Sequence, residues 1–193
     1  MKVLSTHLNK QFPAVAVWAV CLAFILGYIL AKDTYAATAR EIDVSVDVAL
    51  ERFQKEVKGA KAFLKNAQGV LVFPSVFKAG FVFGGEYGEG ALRIGGKTVD
   101  YYNTVAGSWG LQLGAQKKTV ILVFMQKNAL KAFRDSKGWK AGVDGSVAMV
   151  DVGAGGSIDT TNVKDPIVGF VFGQKGLMAN LTLEGSKYTK LKK

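Results

Sequence analysis

Two carboxylates, Glu86 and Glu89, are the residues of this sequence that most invite a catalytic interpretation. They lie in the segment GGEYGEG at positions 84–90, and paired acids can hydrolyse glycosidic bonds. Together with backbone carbonyls they could also bind calcium, but their spacing is not that of an EF-hand loop. Because glycine-rich segments commonly form turns that carry solvated polar residues, we interpret both acids as surface residues of a turn.

The other residue types that commonly perform catalysis are scarce. The single histidine, His7, and the single cysteine, Cys21, both lie in the first 39 residues. Residues 40–193 therefore cannot form a Ser-His-Asp triad, a Cys-His dyad or a histidine-rich zinc site. We predict no catalytic residues, no enzyme activity, no metal site and no cofactor.

One motif is similar to a nucleotide-binding loop. Residues 91–98 read ALRIGGKT, which fits the P-loop pattern except that Ala91 replaces the first glycine. A P-loop opens a helix whose N-terminus receives the phosphate, whereas residues 99–102, VDYY, are typical of a strand. The sequence therefore predicts a hairpin turn at Gly95-Gly96.

Lysines near both ends of residues 40–193 are candidate contacts for an anionic ligand. This part of the chain holds 22 basic and 14 acidic residues, a net charge of +8. Such a charge favours an acidic partner, for which we predict an anionic lipid or membrane surface and not nucleic acid. The candidate lipid-binding residues are Lys55, Lys58, Lys61, Lys65, Lys187, Lys190, Lys192 and Lys193.

Two helices are predicted to support this chemistry. Between Glu41 and Asn66, apolar residues recur every three or four positions, which is the helical period. Acids dominate the first half and lysines the second, an order that complements the helix dipole. We therefore predict one N-terminal amphipathic helix over 41–66 and a second, short helix over 127–136.

Short strand-like runs separated by turn signals occupy most of the remaining sequence. Their spacing predicts an antiparallel sheet that curls or closes into a barrel, and glycines inside them indicate bulges or close backbone contacts. The fold class is therefore α+β, mostly β. The predicted strands are 69–73, 79–84, 91–94, 98–103, 109–113, 119–125, 146–152, 156–160, 167–173 and 177–183.

The segment GFVFG occurs twice, at 80–84 and at 169–173. Alternate side chains of a strand share one face, so Phe81 lies with Phe83 and Phe170 lies with Phe172. Two core strands that use the same residues would explain this repetition. The alternative is an apolar cavity lined by the four phenylalanines, which could hold an acyl chain.

The first 39 residues have the pattern of a signal peptide. Lysines precede an apolar run at 13–31, and small residues follow at 34–39. We expect cleavage and export to the periplasm or cell envelope. The alternative is an uncleaved anchor formed by residues 13–31, since a spanning helix needs about 20 apolar residues. In both cases we predict that residues 40–193 form a single domain with a basic C-terminal tail.

Long motifs spread along this domain resemble those of the SYLF domain family. The resemblance extends over nearly all of residues 40–193. The motifs that carry it are GVLVFP (69–74), KAGFVFGGEYGEG (78–90), GGKTVDYYNT (95–104), SWGLQLGAQ (108–116), WKAGVDGSV (139–147), VGAGGSIDT (152–160) and KDPIVGFVFGQKGLMANLTLEGSK (164–187).

The resemblance implies a compact β domain with an N-terminal helix and no enzyme activity. It also implies lipid binding, of phosphoinositides in eukaryotic members, and actin association in some of them. Lipid binding in those relatives is linked to an amphipathic segment at the start of the domain, which corresponds to residues 41–65. Here five acids balance five bases in that segment, which departs from a purely basic membrane helix.

The function that these observations favour is a lipid-binding module of the cell envelope. A structural or protein-interaction domain, such as a homo-oligomer or a relative of the actin-binding members, is the alternative. Vesicle binding that depends on anionic lipid distinguishes the two.

Overall fold

The computed structural model describes residues 37–80, 83–109, 114–151, 165–175, 183 and 185–193. The predicted signal peptide therefore lies almost wholly outside the described residues, as do predicted strand 156–160 and most of predicted strands 109–113 and 177–183. Within the described ranges, no helix is both long enough and apolar enough to cross a membrane. The described residues from Ala37 onward belong to one compact unit.

The described part of the chain contains three helices: α1 (Ala39–Glu56), α2 (Ala60–Lys65) and α3 (Lys127–Asp135). A capping box opens α1. The Thr38 hydroxyl accepts a hydrogen bond from the Glu41 N–H at 3.3 Å, and the Thr38 N–H donates to the Glu41 carboxylate at 2.7 Å. Two otherwise unpaired N–H groups at the helix start are thereby satisfied. The predicted short helix over 127–136 is confirmed by α3.

The prediction of one continuous helix over 41–66 is wrong, because the helix breaks between α1 and α2. Val57 has an extended backbone and is buried, and Gly59 has a φ of 88°, a conformation that glycine adopts without steric cost. Phe63 remains buried after the break. The apolar period could not reveal the break because it continues in step across it.

Eight strands form one sheet in the order β5-β8-β3-β2-β1-β4-β7-β6. Every neighbouring pair is antiparallel except β6 and β7. The sheet is open and curls into a half-barrel, which confirms the predicted mostly β fold with a curled antiparallel sheet. The strands are β1 (Gly69–Gly80), β2 (Phe83–Ile94), β3 (Lys97–Trp109), β4 (Gly114–Phe124), β5 (Trp139–Lys140), β6 (Ala148–Asp151), β7 (Ile167–Lys175) and β8 (Lys187–Leu191).

The second strand is longer than predicted because several glycines lie inside it and not at turns. Gly84 and Gly85, for example, belong to β2. A register shift in β1 between Val72 and Ser75 accompanies a very close approach to β2, where a Cβ built on Gly90 would lie 2.0 Å from the Val72 carbonyl oxygen. Glycine is therefore required at position 90, as expected for close backbone contact inside a strand.

The β2–β3 connection is the predicted hairpin turn. Gly95 and Gly96 both have positive φ, 57° and 79°, as a type I′ hairpin turn requires. Lys97 opens β3 and not a helix. The segment therefore lacks the helix N-terminus on which a P-loop depends.

The sheet has two faces, which we name after the helices that cover them. The α1 face packs against α1 and α2, where Phe53 and Phe63 meet strand residues that include Ile121. The α3 face packs against α3. There the Phe133 ring centroid lies 4.9 Å from that of Phe124. The remaining rings around Phe133 are Tyr102, Trp139 and Tyr188.

Candidate functional site

Four of the predicted lipid-binding lysines line one open groove at the junction of α1 and α2. The groove has a volume of about 650 Å³. The chain turns at Gly59 between the two helices, so lysines on both sides of the break face the same space. The residues that line this α1–α2 groove are Gln54, Lys55, Glu56, Val57, Lys58, Gly59, Lys61, Ala62 and Lys65.

The acids nearest the groove are already paired within α1. The Lys55 ammonium donates to Glu51 at 2.6 Å, and Arg52 donates to Glu56 at 2.6 Å. No acid follows Glu56 in the sequence until residue 86, and the three later groove lysines are exposed. The break in the helix thus separates the lysine-rich part of the segment from its acids, and the groove presents positive charge.

The four predicted lysines near the C-terminus lie on β8 or directly after it, and none of them lines the groove. Lys190 forms an ion pair with Asp100, whose side chain is buried. The Lys193 ammonium donates to the Ala37 carbonyl at 2.6 Å and to Glu89 at 3.0 Å. These two lysines therefore have partners in the protein. The other two, Lys187 and Lys192, are exposed.

Phe170 and Phe172 lie on the α1 face of β7, packed against the helices. The Phe53 ring centroid is 5.0 Å from that of Phe170 and 5.4 Å from that of Phe172. Both side chains are buried and belong to the core between sheet and helices. Phe81 lies outside the described residues, and only the backbone of Phe83 is described. A cavity lined by all four phenylalanines remains a prediction.

A buried charged cluster on the α3 face was not predicted. Glu86 of β2 lies between Lys78 of β1 and Lys118 of β4, with Nζ–Oε distances of 3.5 and 2.8 Å. The three side chains are 10, 5 and 1% exposed respectively. Among the described residues, the cluster contains two cations and one anion. Burial of charge costs several kcal/mol per ion unless the ions are closely paired, so Glu86 holds this cluster together.

Strand alternation is the signal that could have revealed the cluster. Lys78 follows Val76 by two residues, and Lys118 precedes Val120 by two. Side chains two apart in a strand share a face, and both valines belong to the core of the α3 face. A lysine in line with a core residue needs a buried partner.

The prediction that Glu86 and Glu89 are solvated residues of a turn is wrong, because both lie inside β2. Three residues apart in a strand, they point to opposite faces. Glu86 joins the buried cluster, whereas Glu89 lies on the α1 face with Lys193. The two carboxylates therefore cannot act on one substrate as a catalytic pair.

Neutral hydroxyl groups also lie buried on the α3 face. Tyr188 of β8 is paired in register with Thr104 of β3. Burial raises the pKa of Tyr188 well above its ordinary value, although the nearby side chains of Ser186 and Thr104 oppose the shift. Burial likewise raises the pKa of Tyr102 to about 12. Both tyrosines therefore stay protonated at neutral pH, where they can donate hydrogen bonds but cannot act as bases.

The arrangement suits the binding of anions better than proton transfer. Its accessible charged groups are the lysines of the groove, whereas the lysines around Glu86 are buried and paired and the two buried tyrosines are neutral. Within the described ranges, no group of three or more His, Cys, Asp and Glu residues converges to hold a metal ion.

Comparison with known families matches part of this half-barrel domain to one family model. Residues 105–193 match the family model described as "Ysc84: Las17-binding protein actin regulator". The C-terminal part of the domain is therefore similar to the Ysc84 (SYLF) family, and the resemblance seen in the sequence motifs is confirmed over these residues. This is generally a family of binding domains. No similar protein was found among curated sequences.

Proposed function

We propose that this SYLF-like domain binds anionic phospholipid at a membrane surface, with the α1–α2 groove as the contact for headgroup charge. The observation that carries the proposal is the convergence of Lys55, Lys58, Lys61 and Lys65 on one groove. A basic residue near an anionic leaflet contributes about 1 kcal/mol. Four such residues would supply about 4 kcal/mol, or roughly a thousandfold in Kd.

The position of the groove supports the same function. The family resemblance links lipid binding to the segment at the start of the domain, and the groove lies in that segment. The balance of acids and bases along the segment does not weaken the proposal. Glu51 and Glu56 pair with neighbours on α1, and such exposed pairs contribute little and exchange readily.

We propose the cell envelope as the place where the domain acts. The support is the signal-peptide pattern of the first 39 residues, with its cationic start and its apolar run. The mass of the protein purified from the envelope fraction tests this. A mass that corresponds to a chain beginning near Arg40 supports a cleaved leader, and a full-length mass in the membrane fraction supports an anchor.

Cosedimentation with vesicles tests the role of the groove. The probes are vesicles of phosphatidylcholine alone and of phosphatidylcholine mixed with phosphatidylglycerol. The variant is Lys58→Gln/Lys61→Gln/Lys65→Gln, which removes three charges and should weaken binding to the anionic vesicles roughly a hundredfold. The matched control removes three exposed lysines elsewhere: Lys97→Gln/Lys137→Gln/Lys140→Gln.

The two triple variants separate a local site from a general effect of charge. Much weaker binding by the groove variant than by the control supports the groove. Equal losses would show that only net charge matters. No binding of the unaltered protein to anionic vesicles at low salt would overturn the proposal.

A protein-binding role is the second candidate, and the family description favours it because it names a Las17-binding actin regulator. Under this alternative the domain would recognise a protein of the envelope or a second copy of itself. Crosslinking followed by affinity purification would then recover one defined partner at high and at low salt. The same protein would not sediment with vesicles.

A further inference from the structure

One end of the α1 face carries exposed apolar side chains among the described residues. Three apolar side chains lie there: Phe77, Tyr87 and Val105 are 57, 48 and 47% exposed. They belong to β1, β2 and β3. We name these three residues, together with Lys117 and Lys187 at either side, the exposed row.

Strand register places the exposed row in a straight line across five strands. Phe77 pairs with Lys117 on one side and with Tyr87 on the other. Tyr87 pairs with Val105, and Val105 pairs with Lys187. Side chains directly opposite each other in a sheet lie on the same face. Four strand spacings of about 4.8 Å give the row a length of about 19 Å.

The next row toward the end of the sheet is also open and carries only small residues. Ala79 pairs with Ala115 and with Gly85, and Gly85 pairs with Gly107. A Cβ built on either glycine would meet no atom within 4 Å. The two rows together form an apolar surface on the described strands.

Among the described residues, the charged members of the two rows are lysines. Lys117 and Lys187 close the two ends of the exposed row, and both are exposed. The Lys117 ammonium lies 5.3 Å from the centroid of the Phe77 ring. The nearest acid on the same face, Glu89, accepts hydrogen bonds from Lys193 at 3.0 Å and from the Tyr87 hydroxyl at 2.8 Å. Its charge is therefore already compensated.

This combination of groups matches the interface of an anionic bilayer. Aromatic rings with a polar tip settle at the level of the headgroups, and lysines beside them contact lipid phosphates while their stems lie along apolar surface. A soluble acidic protein would satisfy the lysines but would leave the centre of the row without an apolar partner. Charge and polarity together favour lipid.

We propose that the exposed row docks the domain on an anionic membrane, with Phe77, Tyr87 and Val105 entering the headgroup region and with Lys117 and Lys187 contacting lipid phosphates. The inference rests on the proposed function for the identity of the membrane, but it assigns a second contact that is separate from the α1–α2 groove. It also predicts a contact that salt does not abolish, since apolar burial is not screened.

Vesicles of phosphatidylcholine and phosphatidylglycerol in equal parts provide the test, with cosedimentation at low and at high salt. The variant is Phe77→Thr/Tyr87→Thr, in which threonine keeps the strand propensity of both positions. Binding at high salt should fall about tenfold or more. The matched control is Val44→Thr/Val48→Thr, which removes two apolar side chains of similar exposure, 57 and 59%, from α1. Thermal unfolding establishes that each variant is folded.

The outcomes separate this inference from the proposed function. Loss of binding in the row variant but not in the α1 control supports the exposed row. Unchanged binding in the row variant, or an equal loss in the control, overturns the row and leaves the lipid function intact. If the unaltered protein does not sediment with the vesicles at any salt concentration, both are overturned.

Discussion

The lysines of the α1–α2 groove and those of the buried cluster show how burial changes the role of one side chain. Groove lysines such as Lys58 are exposed, hydrated and available to a ligand. Lys118, 1% exposed, is committed to Glu86. Exposed pairs contribute about 0 to 1 kcal/mol to stability, whereas an unpaired buried charge costs several. Removal of charge should therefore affect binding at the groove and folding at the cluster.

The largest effect is expected at the centre of the buried cluster. Glu86→Gln removes the anion and leaves two lysines buried without a countercharge among the described residues. The free energy of unfolding should fall by about 3 to 5 kcal/mol, as measured by urea denaturation. Glu51→Gln is the control, because its ion pair with Lys55 is exposed, and it should change stability by less than about 0.5 kcal/mol. Similar values for both variants would contradict a structural role for the cluster.

A smaller loss is expected from Lys118→Met. Methionine has a similar length, and one cation, Lys78, then remains for the one anion, Glu86. We expect a loss of about 1.5 to 3 kcal/mol, the scale of one polar contact with a charged group, in the same denaturation assay. A cost as large as that of Glu86→Gln would mean that the charges of the cluster are balanced by more than the described residues.

The lysines at the C-terminus provide an intermediate case. The Lys193 ammonium joins Ala37 and Glu89, whereas the neighbouring Lys192 is exposed. Lys193→Ala should lower the free energy of unfolding by about 1 kcal/mol, and Lys192→Ala should leave it unchanged. Equal effects of the two substitutions on unfolding would show that the contacts of Lys193 do not stabilise the fold. Lys193 would then again be a candidate lipid contact.

The smallest effect on stability is expected where the effect on binding is largest. Lys58→Gln/Lys61→Gln/Lys65→Gln should change the free energy of unfolding by no more than about 0.5 kcal/mol per site, since exposed positions away from special contacts tolerate substitution. The melting temperature provides the measurement. A marked drop would show that the groove lysines stabilise the α1–α2 junction and would remove their contrast with the buried cluster.

The sequence was sufficient for the broad fold. Apolar period identified the helices, strand spacing identified a curled sheet, and Gly95-Gly96 identified a hairpin. Each of these signals comes from residues that are close together in the sequence, so it can be recognised without knowledge of the tertiary structure. The helix break at Gly59 was not predicted because the apolar spacing on either side stays in step. One continuous helix and two shorter helices differ here in the backbone conformation of Gly59, which the apolar spacing does not report.

The sites were predicted less completely, and the reason is pairing between distant strands. The four groove lysines could be grouped because they are close in sequence. Lys78 and Lys118 lie forty residues apart and meet only because β1 and β4 are neighbours. The exposed row likewise depends on the register of five strands. A slip of one residue in any of these strands would move its side chain to the other face of the sheet.

The contact between Lys193 and Ala37 has a consequence for the connectivity of the domain. One lysine side chain spans the distance between the two ends of the compact unit, so a linker of a few residues, each reaching about 3.3 Å, can join them. The hairpin turn at Gly95-Gly96 is exposed and can serve as the new start and end. A circular permutant opened there should keep the same strand order, with β2 and β3 paired although no turn connects them.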